Sequence, residues 1–135
     1  MDAGAQSAPG RWVNAVAFGP GSRLATACDD RALRILDPDL RQIDTTVSHP
    51  GEVLAVAWSP RGDKVASGCS DMRLRVIDAK SGRVDRVVNH GNVVTAVAWS
   101  PAGDQIATGC WDGNLRLVDA ETGTLDRVVR TKVVI

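Results

Sequence analysis

Residues 106–119 read IATGCWDGNLRLVD, and the same stretch occurs twice upstream, as LATACDDRALRILD at 24–37 and VASGCSDMRLRVID at 65–78. Self-similarity at a fixed spacing outranks any local signal, because each copy is one supersecondary unit that needs its neighbours to bury its apolar face. The spacing is 41 residues, from Asp30 to Asp71 to Asp112 and from Cys28 to Cys69 to Cys110. A second segment keeps the same rhythm: VNAVAFGP (13–20), VLAVAWSP (53–60) and VTAVAWSP (94–101). The first copy is one residue shorter between the two segments, from Pro20 to Leu24 rather than from Pro60 to Val65.

Each repeat reads as four short strands. The first is almost continuously apolar and ends on an aromatic (Phe18, Trp58, Trp99), which suits a strand buried on both faces and assigns those rings to the blade core. A Pro-x-Gly-Asp turn follows at 60–63 and 101–104 and leads into a second strand through KVASGC or QIATGC. The third strand alternates, with Arg75 facing away from Leu74 and Val76, and a Ser-Gly or Thr-Gly turn opens an outer fourth strand. The apolar runs are too short, too β-branched and too often punctuated to be helices. The expected fold class is all-β: propeller blades of four antiparallel strands, three blades plus the start of a fourth.

These residues resemble the WD-repeat β-propeller family over about residues 9–135. The family pattern places a histidine before the first strand, Ser or Thr on the second, an aspartate in the next turn, and Trp-Asp at the end of the third. Carried over by position, the second repeat offers His49, Ser67, Asp71 and Asp78; the third offers His90, Thr108, Asp112 and Asp119. The first offers Thr26, Asp30 and Asp37, with Pro9 where the histidine belongs. The visible Trp111-Asp112 is out of place for the signature: the third strands end in Leu36-Asp37, Ile77-Asp78 and Val118-Asp119.

The resemblance implies that His49, Ser67 and Asp71, and likewise His90, Thr108 and Asp112, form a structural network inside the blade. A buried carboxylate must be paired or neutralised, and a histidine N–H with turn amides can do so. The missing third-strand tryptophan shortens that chain to three members and removes a hydrogen bond worth on the order of 1 kcal/mol. Asp30, without a histidine, is left to turn amides or water. A Ser-His-Asp nucleophilic reading of the same set is disfavoured, because the set recurs with threonine and already has a structural explanation. Arg34, Arg75 and Arg116 recur without forming a basic run and read as structural or solvated.

Other motifs reduce to the repeat. Arg61-Gly62-Asp63 is the turn that Ala102-Gly103-Asp104 repeats, not an adhesion motif, and Asp29-Asp30 is a turn aspartate with an exposed neighbour rather than a glycosidase pair. Three cysteines at one repeat position read as small buried hydrophobes without metal or disulfide. No cofactor, metal site or catalytic residue is expected.

Trp12 and Trp111 break the repeat, since their counterparts are Glu52 and Val93, and Asp29 and Ser70. The resemblance places them near the entrances of the inner strands, on the face where such propellers hold peptides. That face would comprise Trp12, Asn14 and Asp29 in blade one, Glu52, Leu54 and Ser70 in blade two, and Val93, Thr95 and Trp111 in blade three. Tryptophan is favoured at interface hot spots.

The chain has 135 residues, 44% of them apolar, enough for a core. Sixteen acidic and sixteen basic residues without a basic run argue against nucleic acid. No stretch has the length of a membrane helix, and MDAGAQSAPG lacks the form of a secretory signal. An intracellular protein follows, cytoplasmic by default with the nucleus left open. The expected organisation is a disordered segment at 1–8 and a partial propeller at 9–135, with blades at about 9–48, 49–89 and 90–130. Thr131 takes the histidine position of a next repeat that starts over 131–135. Three blades fall short of the four to eight that usually close a ring, so the chain reads as a piece of a longer propeller or as one that self-associates through open blade faces. The functional expectation is a non-enzymatic scaffold that binds a protein or peptide through one propeller face. The alternatives are a propeller enzyme or ligand binder with a central-channel site, and a structural segment of a large assembly.

Overall fold

A computed structural model describes residues 11–39 and 42–130. The segment 1–8, Pro9 and the next repeat's start at 131–135 lie outside the described residues. Twelve strands follow one another: β1 Val13–Phe18, β2 Leu24–Cys28, β3 Ala32–Leu36, β4 Ile43–Ser48, β5 Val53–Trp58, β6 Lys64–Cys69, β7 Arg73–Asp78, β8 Val84–Asn89, β9 Val94–Trp99, β10 Gln105–Cys110, β11 Asn114–Asp119 and β12 Leu125–Arg130. They form three antiparallel four-stranded sheets in the orders β1-β2-β3-β4, β5-β6-β7-β8 and β9-β10-β11-β12. This is the all-β arrangement of propeller blades that the repeat predicts. The fourth-blade part of that expectation falls in the undescribed residues.

The turns show why these residues sit where they do. Gly62 and Gly103 take φ +78° and +80° in the Pro-x-Gly-Asp turns, a left-handed backbone that any other residue adopts at a cost. The first repeat, one residue short, closes the same loop differently. Gly19 N–H donates to Arg23 O at 2.8 Å across a single 3-10 turn, Pro20–Ser22, with Gly21 and Ser22 both at positive φ.

Adjacent sheets pack small residues against large ones. β5 lies on β1 and β2, and β9 lies on β5 and β6. Between the first two sheets, Val53, Val56, Trp58, Val65 and Ile77 press onto Ala15, Ala17, Ala25, Ala27, Leu33 and Ile35. Between the second and third, Val97, Trp99, Ile106 and Val118 meet Ala66, Leu74 and Val76. Period-two alternation therefore gives the middle sheet two buried faces, one on each neighbour. The strand-end indoles tie the sheets together: Trp58 Nε1 donates to Ala17 O at 2.9 Å and Trp99 Nε1 to Ala57 O at 3.0 Å.

Phe18 departs from the expectation that it belongs to the blade core. It is 71% exposed, whereas its counterpart Trp58 is 8% exposed. The physical reason is that these rings pack between sheets, and among the described residues none forms a sheet on the far side of β1.

Candidate functional site

The second and third sheets each carry a buried histidine before the inner strand. His49 Nε2 is 2.9 Å from Ser67 Oγ and its Nδ1 is 3.1 Å from Val47 O; His90 makes the same pair with Thr108 Oγ1 at 2.8 Å and Val88 O at 3.2 Å. A carbonyl can only accept, so Nδ1 carries the proton and Nε2 accepts from the hydroxyl. Both ring nitrogens are thereby used, and none is left for Asp71 or Asp112. The three-member chain expected from the sequence is thus two separate pairings, and the Asp-on-Nδ1 arrangement of a nucleophilic triad is absent from this set. Ser67, fully buried, has no access to a substrate.

The turn aspartates are held instead by the third-strand arginines. Arg75 grips Asp71 with Nη2–Oδ2 at 2.5 Å and Nη1–Oδ1 at 3.2 Å. Arg34 holds Asp30 at 2.6 and 3.2 Å, and Arg116 holds Asp112 at 2.7 and 3.4 Å. The amide two residues on, from Ala32, Arg73 or Asn114, donates to the same carboxylate. Asp30 therefore has a side-chain partner where only turn amides or water were expected. Sequence reading overlooked the pairing because it assigned the aspartate to the histidine. The signal was present, as Asp-x-x-x-Arg in all three repeats. Bidentate geometry gives these pairs direction as well as charge.

These environments set a pH dependence. Burial, opposed by the hydrogen bond to the carbonyl, holds His49 and His90 below the usual histidine range. Arg34 and Arg116 hold Asp30 and Asp112 below the usual carboxylate range. Burial works to raise Asp71, but its bonds with Arg75, Cys69 and the Arg73 amide outweigh it and the net shift is downward. A lowered folded pKa means the unfolded chain takes up protons first. The histidine contribution is therefore complete above about pH 6.5 and falls away as pH drops through the folded values; the carboxylates follow below about pH 3.9. The urea midpoint should fall between pH 7.5 and 5, and joint replacement of His49→Asn and His90→Asn should flatten that slope. An equally steep slope in the double variant would contradict the assignment.

The proposed binding-face residues gather where the inner strands begin. Backbone bonds join them in pairs: Asp29 N–H to Trp12 O at 2.8 Å, Ser70 N–H to Glu52 O at 2.9 Å and Trp111 N–H to Val93 O at 3.0 Å. Between each pair the inner ladder shifts register, so Asn14, Leu54 and Thr95 are the extra residues of β-bulges. Bulges re-aim side chains and are common beside functional sites. Asn14 donates to Asp29 Oδ1 at 2.7 Å and to Val53 O at 3.0 Å, so its amide also links blades one and two. Trp12 and Trp111 are 69% and 72% exposed, at opposite ends of the three-sheet row.

At the other end of the strands, a recess between blades two and three is lined by Lys64, Arg83, Asp85, Trp99 and Asp119 among others. Its charges are largely mutual: Lys64 contacts Asp85 and lies 3.6 Å from Asp78, and Arg83 lies 3.5 Å from Asp85. Cys28, Cys69 and Cys110 are free and buried, and burial pushes each thiol up. Arg61-Gly62-Asp63 sits in the turn assigned to it, closed by Gly62 N–H to Ser59 O at 2.9 Å. Among the described residues, no group of three or more His, Cys, Asp or Glu is placed to hold a metal, and no helix is long and apolar enough to cross a membrane.

Comparison with curated proteins gives no match. The family model WD40, described as WD domain, G-beta repeat, matches three times, over residues 5–37, 40–78 and 82–119. Three matches that span most of the chain place this protein in the WD-repeat family; the second and third each take the outer strand of one sheet, β4 or β8, with the three inner strands of the next.

Proposed function

We propose that this chain is a non-enzymatic scaffold whose binding face, for a protein or peptide, is built on the bulged entrances of the inner strands. Repeats of this family generally mediate protein–protein interactions. The observation that carries the reading is the pair Trp12 and Trp111. Both rings are exposed, neither is repeated in the other blades, and blade packing uses neither. Asn14, Asp29, Glu52, Leu54, Ser70, Val93 and Thr95 complete the face. We take 9–135 as one partial propeller unit, intracellular, with no nucleic acid, membrane or cofactor among its partners. A second partner class is the chain itself, through the open faces of the outer sheets. The test is a displayed peptide library selected on the wild-type chain. Joint Trp12→Ala and Trp111→Ala should weaken the selected peptides tenfold or more without moving the melting midpoint. Peptides that bind the double variant equally well would remove this face.

A further inference from the structure

The seam between the first two sheets is covered at one end by an arginine, and the seam between the second and third is not. Arg23, just before β2, has its guanidinium carbon 5.4 Å from the Trp58 ring centroid and donates from Nη2 to Ala79 O at 3.2 Å. Trp58 and Ala79 are buried beneath it. One repeat on, Trp99 and Ala120 stand in the places of Trp58 and Ala79, and Lys64 in the place of Arg23. Lys64 does not make the same contacts. Its Nζ is held by Asp85 and lies 3.6 Å from Asp78, both carboxylates of its own sheet. Trp99 and Ala120 are accordingly only half-buried, and among the described residues none donates to Ala120 O. Both line the recess between blades two and three, whose volume of about 700 Å³ is in the range of ligand pockets. Both walls of that recess are described sheets.

We propose that this recess is a binding site for an arginine side chain of a partner protein. The guanidinium lies over Trp99 and donates to Ala120 O, as Arg23 lies over Trp58 and donates to Ala79 O. A planar fork of N–H donors serves an indole face and a carbonyl together, whereas an ammonium is a compact and more strongly hydrated charge. The electrostatics agree. The lining holds five carboxylates and four cationic side chains. Lys64 and Arg83 are turned to Asp85, and Arg86 spends its Nε on Glu121 O at 2.6 Å. Asp104, Asp119 and Glu121, on the turns of the third sheet, form no ion pair among the described residues and leave that side of the recess acidic. The site lies at the opposite end of the strands from the bulged entrances, so it is separate from the peptide face proposed above.

Nuclear magnetic resonance of the four tryptophan indole N–H groups tests this on the full chain. N-acetylarginine amide should shift the Trp99 signal saturably, with a Kd on the order of millimolar, and leave Trp58 unmoved because Arg23 already covers it. N-acetylcitrulline amide, similar in shape but uncharged, should bind about tenfold more weakly. Arg23→Ala should uncover the first seam and make the Trp58 signal respond to the arginine probe. Lys64→Arg joined to Asp85→Asn should do the reverse: it frees a guanidinium of the chain itself to cover Trp99, and the probe should bind about tenfold more weakly. An unmoved Trp99 signal in the wild type, equal responses to the two probes, or a silent Trp58 signal in the Arg23→Ala variant would each overturn the assignment.

Discussion

Asp71→Ala should destabilise the chain by about 3–5 kcal/mol, measured as urea unfolding at pH 7.5. The Asp71–Arg75 side chains are only 10% and 9% exposed, so removing the carboxylate strands a guanidinium that cannot reach water. Most of the loss comes from that orphaned charge and not from the intrinsic worth of the pair. Two comparisons follow. Asp30→Ala should cost about 1 kcal/mol, because the Asp30–Arg34 side chains are 21% and 25% exposed and solvent screens the released charge. Joining Arg75→Met to Asp71→Ala should recover much of the loss by removing the second charge as well. Equal losses at Asp30 and Asp71 would mean that burial does not govern these pairs.

Trp58→Ala should cost a similar amount, about 3–5 kcal/mol, by opening the seam between the first and second sheets. The indole has three roles there. Its ring fills the space above Gly19, where a Cβ would come within 2.4–2.8 Å of the ring atoms. Its face lies 5.4 Å from the Arg23 guanidinium carbon. Its N–H satisfies Ala17 O. Trp58→Phe separates these contributions: the ring volume is largely kept, and the carbonyl loses its donor inside the seam, for about 1–3 kcal/mol. A loss below about 1 kcal/mol for Trp58→Ala would show that the two sheets are held by other contacts.

Both effects arise at positions whose residue types were visible in the chain but whose partners were not. The 41-residue repeat contained the strands, their turns and their antiparallel order, because a strand's period and a glycine turn are local properties of a few consecutive residues. It also marked Asp71, Arg75 and Trp58 as recurring. What the repeat left open was the choice among partners. Asp71 could meet a histidine or an arginine, both at recurring positions. The answer depended on His49 giving its Nδ1 proton to Val47 O, a backbone group with no sequence signature. The bulges at Asn14, Leu54 and Thr95 were likewise silent, since an extra residue in a ladder is defined by the partner strand.

For the candidate binding face, the sequence singled out Trp12 and Trp111 by their failure to repeat, and tertiary structure supplied their exposure. The aromatic strand ends show the division most clearly. Phe18, Trp58 and Trp99 occupy one position in three nearly identical strands, and nothing local distinguishes their surroundings. Trp58 is buried because it packs on the first sheet, whereas among the described residues no sheet covers Phe18. The sequence by itself determined the blade, since hydrophobic alternation and turn chemistry act over a few residues. Tertiary structure alone decided which faces of the blades are closed, because burial between sheets is a property of neighbours some 40 residues apart, not of the strand that carries the side chain.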